Sequence, residues 1–281
     1  MEREDIKAKN RLVFSLLSEY INLYPDAISP ELIRETRESC NVGTEDAFRI
    51  LVAGILDVYD DRELRRGWFS KMFRCLDREA YENDPYRRAV TLPGVKDGEW
   101  ELGCDSYKPY EAFVFNDPSV DSEGRIIPQI GFFEESFSFP VVRQGGREWM
   151  LITPNEIETM RAPIAAARGK VVTYGLGLGY FAFMISIKES VTSVTVVEKD
   201  RSVIELFKKH ILPQFKEKDK ICIICADAFE YARSEREGDF VFADIWHDPS
   251  DGCSAYLRLK ALEREGAEYA YWIEDTIKLY L

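Results

Sequence analysis

KVVTYGLGLGYFAFM (residues 170–184) decides the fold. A β-branched run, Val171–Tyr174, stops at three glycines in alternate positions, Gly175, Gly177 and Gly179. An apolar segment running to about Lys188 follows. Strand, glycine turn and helix in that order let a ligand approach the backbone at a helix N-terminus, where unpaired N–H groups point outward. A tight turn with no ligand would use the same residues, so the cluster by itself names no function.

The same alternation continues downstream. Val194–Val197 reads as a second strand, Ser202–Ile211 as a helix and Ile221–Cys225 as a third strand. A helix from Ala228, a strand Phe240–Ala243, a helix near Tyr256–Glu263 and a fifth strand Tyr269–Trp272 complete the series. Strands alternating with helices imply right-handed crossovers and a parallel sheet covered on both faces. Upstream, Pro154–Ala167 reads as a helix leading into this unit. Residues 91–153 carry short aromatic and β-branched runs bounded by turn residues, such as Arg143-Gln144-Gly145-Gly146-Arg147, and suggest antiparallel strands. Residues 1–90 read as helical, with Thr44 as a cap before Phe48, Leu51, Val52, Ile55 and Leu56, and Ser29-Pro30-Glu31 as another helix start. The expected fold is therefore α/β. A Rossmann-like, mostly parallel sheet occupies 169–281, a helical extension 1–90, and a β-rich segment 91–168 completes the core sheet or covers its crevice, with strands around Phe113–Phe115 and Ile126–Val142.

Acids stand at three of the expected strand ends. Glu198, followed by Lys199 and Asp200, comes about twenty residues after the glycines, where a carboxylate can accept two hydrogen bonds from a ribose. Asp227-Ala228 follows the third strand, where an acid can meet an adenine amino group or simply cap the next helix. The fourth strand runs into Asp244-Ile245-Trp246-His247-Asp248-Pro249. A carboxylate there faces the ligand crevice of an open α/β sheet and can take a proton from an amine. Trp246 offers a wall for a cation, and His247, between two acids, is a candidate base with Asp248 beside it. His210, among lysines on a helix, reads as a solvated face. A dinucleotide fingerprint requires a small residue at position 180, and Tyr180 argues against nicotinamide chemistry.

The G-x-G-x-G spacing, Val196-Val197-Glu198-Lys199-Asp200, Ile211-Leu212-Pro213, Asp227-Ala228 and the later Asp-Pro segment resemble the class I S-adenosylmethionine-dependent methyltransferase superfamily, and within it the spermidine-synthase branch. The resemblance covers roughly 170–252. It implies that Gly175, Gly177 and Gly179, with Tyr180 beside them, line the methionine part of the cofactor. It places Glu198 and Lys199 at the ribose, Asp227 and Ala228 at the adenine, and Asp244 beside the sulfonium, orienting or deprotonating an acceptor. The implied activity is methyl transfer from S-adenosyl-L-methionine to a small molecule, with an amine among the candidate acceptors. The alternatives are aminopropyl transfer from the decarboxylated cofactor and a non-catalytic binding module.

Bulk properties narrow the partners. The formal net charge is −13, from 50 acidic and 37 basic side chains, which disfavours nucleic acid and anionic lipid. The charged start MEREDIKAKN and the lack of a long apolar run suggest a cytoplasmic protein without a membrane span, and a homodimer is the assembly considered. Six scattered cysteines read as reduced thiols. Cys222 and Cys225 form C-x-x-C, but three residues apart on a strand they face opposite ways, so no metal is expected there.

Overall fold

The computed structural model describes residues 3–234 and 238–281. The chain forms two compact units. One comprises the residues up to Tyr81 together with Asp105–Ser138, and the other comprises Glu82–Cys104 together with Phe139–Leu281.

In the first unit the helices Arg3–Leu23, Pro30–Cys40 and Thr44–Ile55 accompany a three-stranded sheet. Its strands are Phe73–Cys75, Ile126–Phe132 and Phe113–Val120, the first pair parallel and the second antiparallel. Ser29 accepts a hydrogen bond from the Leu32 N–H, as its cap signature requires. Thr44 does not cap. Gly43 holds that position, and the Thr44 hydroxyl donates instead to Glu134 at 2.9 Å. Residues 62–90 are not uniformly helical, because Phe73–Cys75 pairs with Ile126–Phe132 as a strand. Val13, Tyr20, Phe48, Trp68, Phe69 and Phe132 are fully or almost fully buried, and Phe48 stacks on Phe132 at 4.0 Å. This core claims Ile127, Ile130 and Phe132, which is why these strands do not extend the Rossmann-like sheet.

The second unit carries that sheet. Its strands are β1 (Gly169–Tyr174), β2 (Val191–Glu198), β3 (Ile221–Cys225), β4 (Phe240–Ala243) and β5 (Glu268–Tyr271). Helices α1 (Tyr180–Ser186), α2 (Arg201–His210), α3 (Ala228–Arg233), α4 (Pro249–Lys260) and α5 (Glu274–Tyr280) follow them in turn. The spatial order is β3-β2-β1-β4-β5 and every pairing is parallel. The order reverses between β1 and β4, the switch point where such sheets open a crevice at their carboxyl ends. Val194, Val196, Phe240 and Phe242 are buried, and Phe181 of α1 stacks on Phe242 at 4.1 Å. Segments 95–104 and 139–151 form a separate antiparallel layer, in which Val95–Asp97 pairs with Trp100–Leu102 and Val141–Gln144 with Arg147–Leu151. The helix Pro154–Ala166 then leads into β1.

Candidate functional site

The glycine turn is held from three sides. Gly175, Gly177 and Gly179 adopt φ of +97°, +49° and +74°, a region costly for any residue with a Cβ. A methyl group on Gly175 would overlap the carbonyl oxygen of Asp244, one on Gly177 the Met150 sulfur, and one on Gly179 the Phe207 ring. The three glycines thus let β4, the strand Arg147–Leu151 and α2 close on the turn. The Tyr86 hydroxyl donates to the Leu178 carbonyl at 2.6 Å. Tyr180 donates to Asp84 at 3.0 Å, and Asp84 also accepts from the N–H groups of Tyr86 and Arg87. Burial pushes the Asp84 carboxyl up, against these hydrogen bonds. The Tyr180 side chain, expected at the cofactor, is 3% exposed and spent on this support. Tyr86→Phe is expected to destabilise the protein by about 1–2 kcal/mol, since it strands a buried carbonyl. Urea unfolding measures this, and an unchanged midpoint would show that the Leu178 carbonyl needs no partner.

Glu198, at the carboxyl end of β2, ties the turn to the next loop. One of its oxygens accepts from the Leu176 N–H at 3.2 Å and the other from the Asp200 N–H at 2.8 Å. A carboxylate has about four acceptor positions, so capacity remains on both oxygens. Asp227 caps α3, accepting from the N–H groups of Phe229 and Glu230 through one oxygen at 2.9 and 3.1 Å. Its side chain is exposed, as is Lys199, while Ala228 is buried. The cap and the adenine contact are compatible, since the second Asp227 oxygen accepts no bond among the described residues.

Beyond β4 the expected residues separate. Asp244 stays against the turn, its N–H donating to the Tyr174 carbonyl at 2.9 Å. Loss of solvation pushes its carboxyl up to about 7. Trp246 is 5% exposed and packs on Gly252 of α4, with its ring stacked toward Tyr271 at 6.5 Å. It is a helix contact rather than a wall of the crevice. Asp248 caps α4 and Asp251 returns the bond to the Asp248 N–H, completing a capping box. Ser250 and two backbone N–H groups hold Asp248 below the usual carboxylate range. His247 is exposed, with Nδ1 3.4 Å from Asp251 and its ring edge-on to Trp149 at 5.5 Å. His247 and Asp248 therefore belong to the start of α4, and Asp244 meets the turn through its backbone. His210, read as a solvated face, has its Nε2 buried without a hydrogen-bond partner.

Glu156, which the sequence reading missed, joins Asp244. It is the third residue of the helix Pro154–Ala166, and its Oε2 is buried with no hydrogen-bond partner. Burial pushes its carboxyl well up, and the charge of Asp244 pushes it further. The sequence signal was ambiguous, because Thr153-Pro154-Asn155-Glu156 has the form of a capping box. Thr153 makes no side-chain cap bond, so the motif is not used that way. A cavity of about 290 Å³ lies elsewhere, along the flank lined by Val172, Tyr174, Tyr231, Val241 and Tyr271. It does not reach Asp244.

No family model matches the chain, and no curated protein matches it. Solved structures do. The likeness is to spermidine synthases. One, in complex with the transition-state analogue AdoDATO, is 20% identical over 47% of this chain and 50% of that chain, with a TM-score of 0.36. The spermidine synthase from Thermotoga maritima is 19% identical over 47% and 48%, with a TM-score of 0.33. The chain spans about half the length of the structures it matches.

Proposed function

We propose that this chain is a transferase that holds an S-adenosyl sulfonium cofactor at the carboxyl ends of β1, β2 and β3 and passes a group to a small amine. The carrying observation is that the glycine turn, Glu198 and Asp244 meet at the switch point of the β3-β2-β1-β4-β5 sheet. The residues fit such a group. Glu198 keeps acceptor capacity for ribose hydroxyls and Asp227 keeps one oxygen for an adenine amino group, while the space beside the three glycines is taken by the Asp244 carbonyl, Met150 and Phe207. When bound, the cofactor supplies a carbon made electrophilic by the positive sulfur. Asp244, ionised above about pH 7, takes the proton of the attacking nitrogen.

Methyl transfer from S-adenosyl-L-methionine is the first reading. Aminopropyl transfer is the second, and the additional carboxylate of Glu156 beside Asp244 favours it, since a polyamine acceptor carries more than one positive charge. Calorimetric titration with S-adenosylmethionine, S-adenosylhomocysteine, decarboxylated S-adenosylmethionine and NAD separates the readings. Micromolar binding of the first two is expected, falling about 10- to 100-fold in Glu198→Ala as charge-assisted hydrogen bonds are lost. Preference for the decarboxylated compound would make aminopropyl transfer the activity. Binding of none of the four would leave a non-catalytic module.

A further inference from the structure

One face of the β3-β2-β1-β4-β5 sheet is not fully packed. The cavity of about 290 Å³ runs along it, lined by Val172 and Tyr174 of β1, Val241 and Ala243 of β4, and Tyr269 and Tyr271 of β5. These are alternate positions on neighbouring strands, so their side chains share a face. Phe242, between two of them, points to the other face and meets Phe181 of α1. Tyr231 and Ala232 of α3 and Leu259 of α4 line the same space from the helical side. Close-packed interiors hold few voids larger than a water molecule, and a cavity of this size with rings around it suits a small ligand.

Its hydrogen-bonding groups stand at defined points. Tyr174 is 6% exposed, its ring lies 6.3 Å from that of Tyr231, and its hydroxyl makes no hydrogen bond among the described residues. Burial holds the Tyr174 phenol above its usual range, so it is a neutral donor at physiological pH. The Tyr269 hydroxyl accepts from the Arg264 N–H at 3.1 Å and keeps its own proton to donate. Arg264 donates through one Nη to the Ala232 carbonyl at 2.9 Å and forms no ion pair among the described residues. A guanidinium has five N–H donors, so most of this fork is open to an anion. Arg264 is exposed, as are Asp239, Glu265 and Gly266, and together they form the mouth of the cavity. Asp239 commits one carboxylate oxygen to the Lys170 N–H at 2.7 Å.

We propose that this cavity is a second ligand site, which takes a small molecule bearing an aromatic ring and a carboxylate. The ring lies among Tyr174, Tyr231, Val241 and Leu259. The carboxylate meets Arg264 and the Tyr269 hydroxyl at the mouth. An aromatic amino acid and a plain aryl acid both carry this chemistry. Asp239 and Glu265 give an ammonium a place beside the carboxylate, which favours the amino acid. None of Gly177, Glu198 or Asp244 lines the cavity, so the site is independent of the transferase reading.

Titration of the whole protein with three probes, followed by calorimetry and ligand-observed NMR, tests the site. The probe 3-phenylpropionate carries the ring and the carboxylate. L-phenylalanine adds the ammonium, and 2-phenylethylamine keeps the ammonium without the carboxylate. The two carboxylates are expected to bind with dissociation constants of about 0.1–1 mM, ordinary for so few non-hydrogen atoms. Tighter binding of L-phenylalanine would identify the occupant as an amino acid, and tighter binding of 3-phenylpropionate would identify it as a plain acid. Arg264→Gln should weaken both about 10- to 100-fold, as charge-assisted hydrogen bonds are lost. Ala232→Leu should abolish both by filling the space while Arg264 stays in place. Ala267→Leu narrows the cavity from its mouth and replaces Ala232→Leu should that variant fail to fold. Three results each overturn the proposal: neither carboxylate binds, 2-phenylethylamine binds as tightly as L-phenylalanine, or binding survives undiminished in Arg264→Gln or in the filled variant.

Discussion

Gly175→Ala is expected to cost about 2–5 kcal/mol and to remove cofactor binding with it. A left-handed conformation costs a residue with a Cβ about 1–2 kcal/mol. Overpacking against a neighbour that cannot move adds about 1–3 kcal/mol. The neighbour here is the backbone carbonyl of Asp244, anchored because the Asp244 N–H donates to Tyr174. Gly266 is the internal control, with φ of +93° and no atom within 4 Å of an added Cβ. Gly266→Ala should show the conformational cost alone. Equal midpoints for the two variants in urea would mean that the β4 loop yields freely, and the account of the turn would fail.

Asp244→Asn is expected to lower transfer to an amine by about 10²–10⁴-fold, the usual contribution of a positioned base. Cofactor affinity should change only a few-fold, because the glycine turn meets the backbone of residue 244 rather than its side chain. The pH profile adds a sharper criterion. A base must be ionised, and burial places Asp244 near 7, so the wild-type rate should rise with pH through that value. The rising limb should vanish in the variant. Transfer of label from the cofactor to a panel of primary amines, followed from pH 5 to 9, gives both quantities. A variant that keeps the limb would move the base to another group.

The Rossmann-like half was legible because its strands are β-branched or aromatic runs, and the first four lead into a glycine or an acid within two residues of their ends. Ile221–Cys225 and Phe240–Ala243 have the bounds their residues suggest, and the other strands shift by one to three residues at an end. The layout of the candidate site was legible at Gly175 and Glu198, which stand at the carboxyl ends of β1 and β2 as their spacing suggests. It was illegible where one residue type serves two purposes. Asp248-Pro249-Ser250-Asp251 repeats the helix-start pattern of Ser29-Pro30-Glu31, and it too is a helix start, although its place after β4 suggested chemistry. Thr153-Pro154-Asn155-Glu156 has the same form and is not capped by its threonine. Only tertiary placement separates the two, because capping and crevice positions require the same carboxylate. The strands Phe113–Val120 and Ile126–Phe132 do not complete the Rossmann-like sheet, one of the two places their sequence offered, for a similar reason. Their alternation shows a buried face without showing which core buries it.

The interleaved division of the chain bears on its birth on the ribosome. Residues up to Tyr81 need Asp105–Ser138 to complete their unit, whereas the intervening Glu82–Cys104 belongs with Phe139–Leu281. Synthesis runs at about 5–20 residues per second, so this insert is made roughly ten to thirty seconds before the last of its own unit emerges. Throughout that interval Tyr86 and Trp100, each 5% exposed or less in the finished fold, have no complete unit in which to be buried. The nascent chain is therefore a candidate for holdase chaperones at this segment, and its two units cannot be separated by cutting the gene at one point.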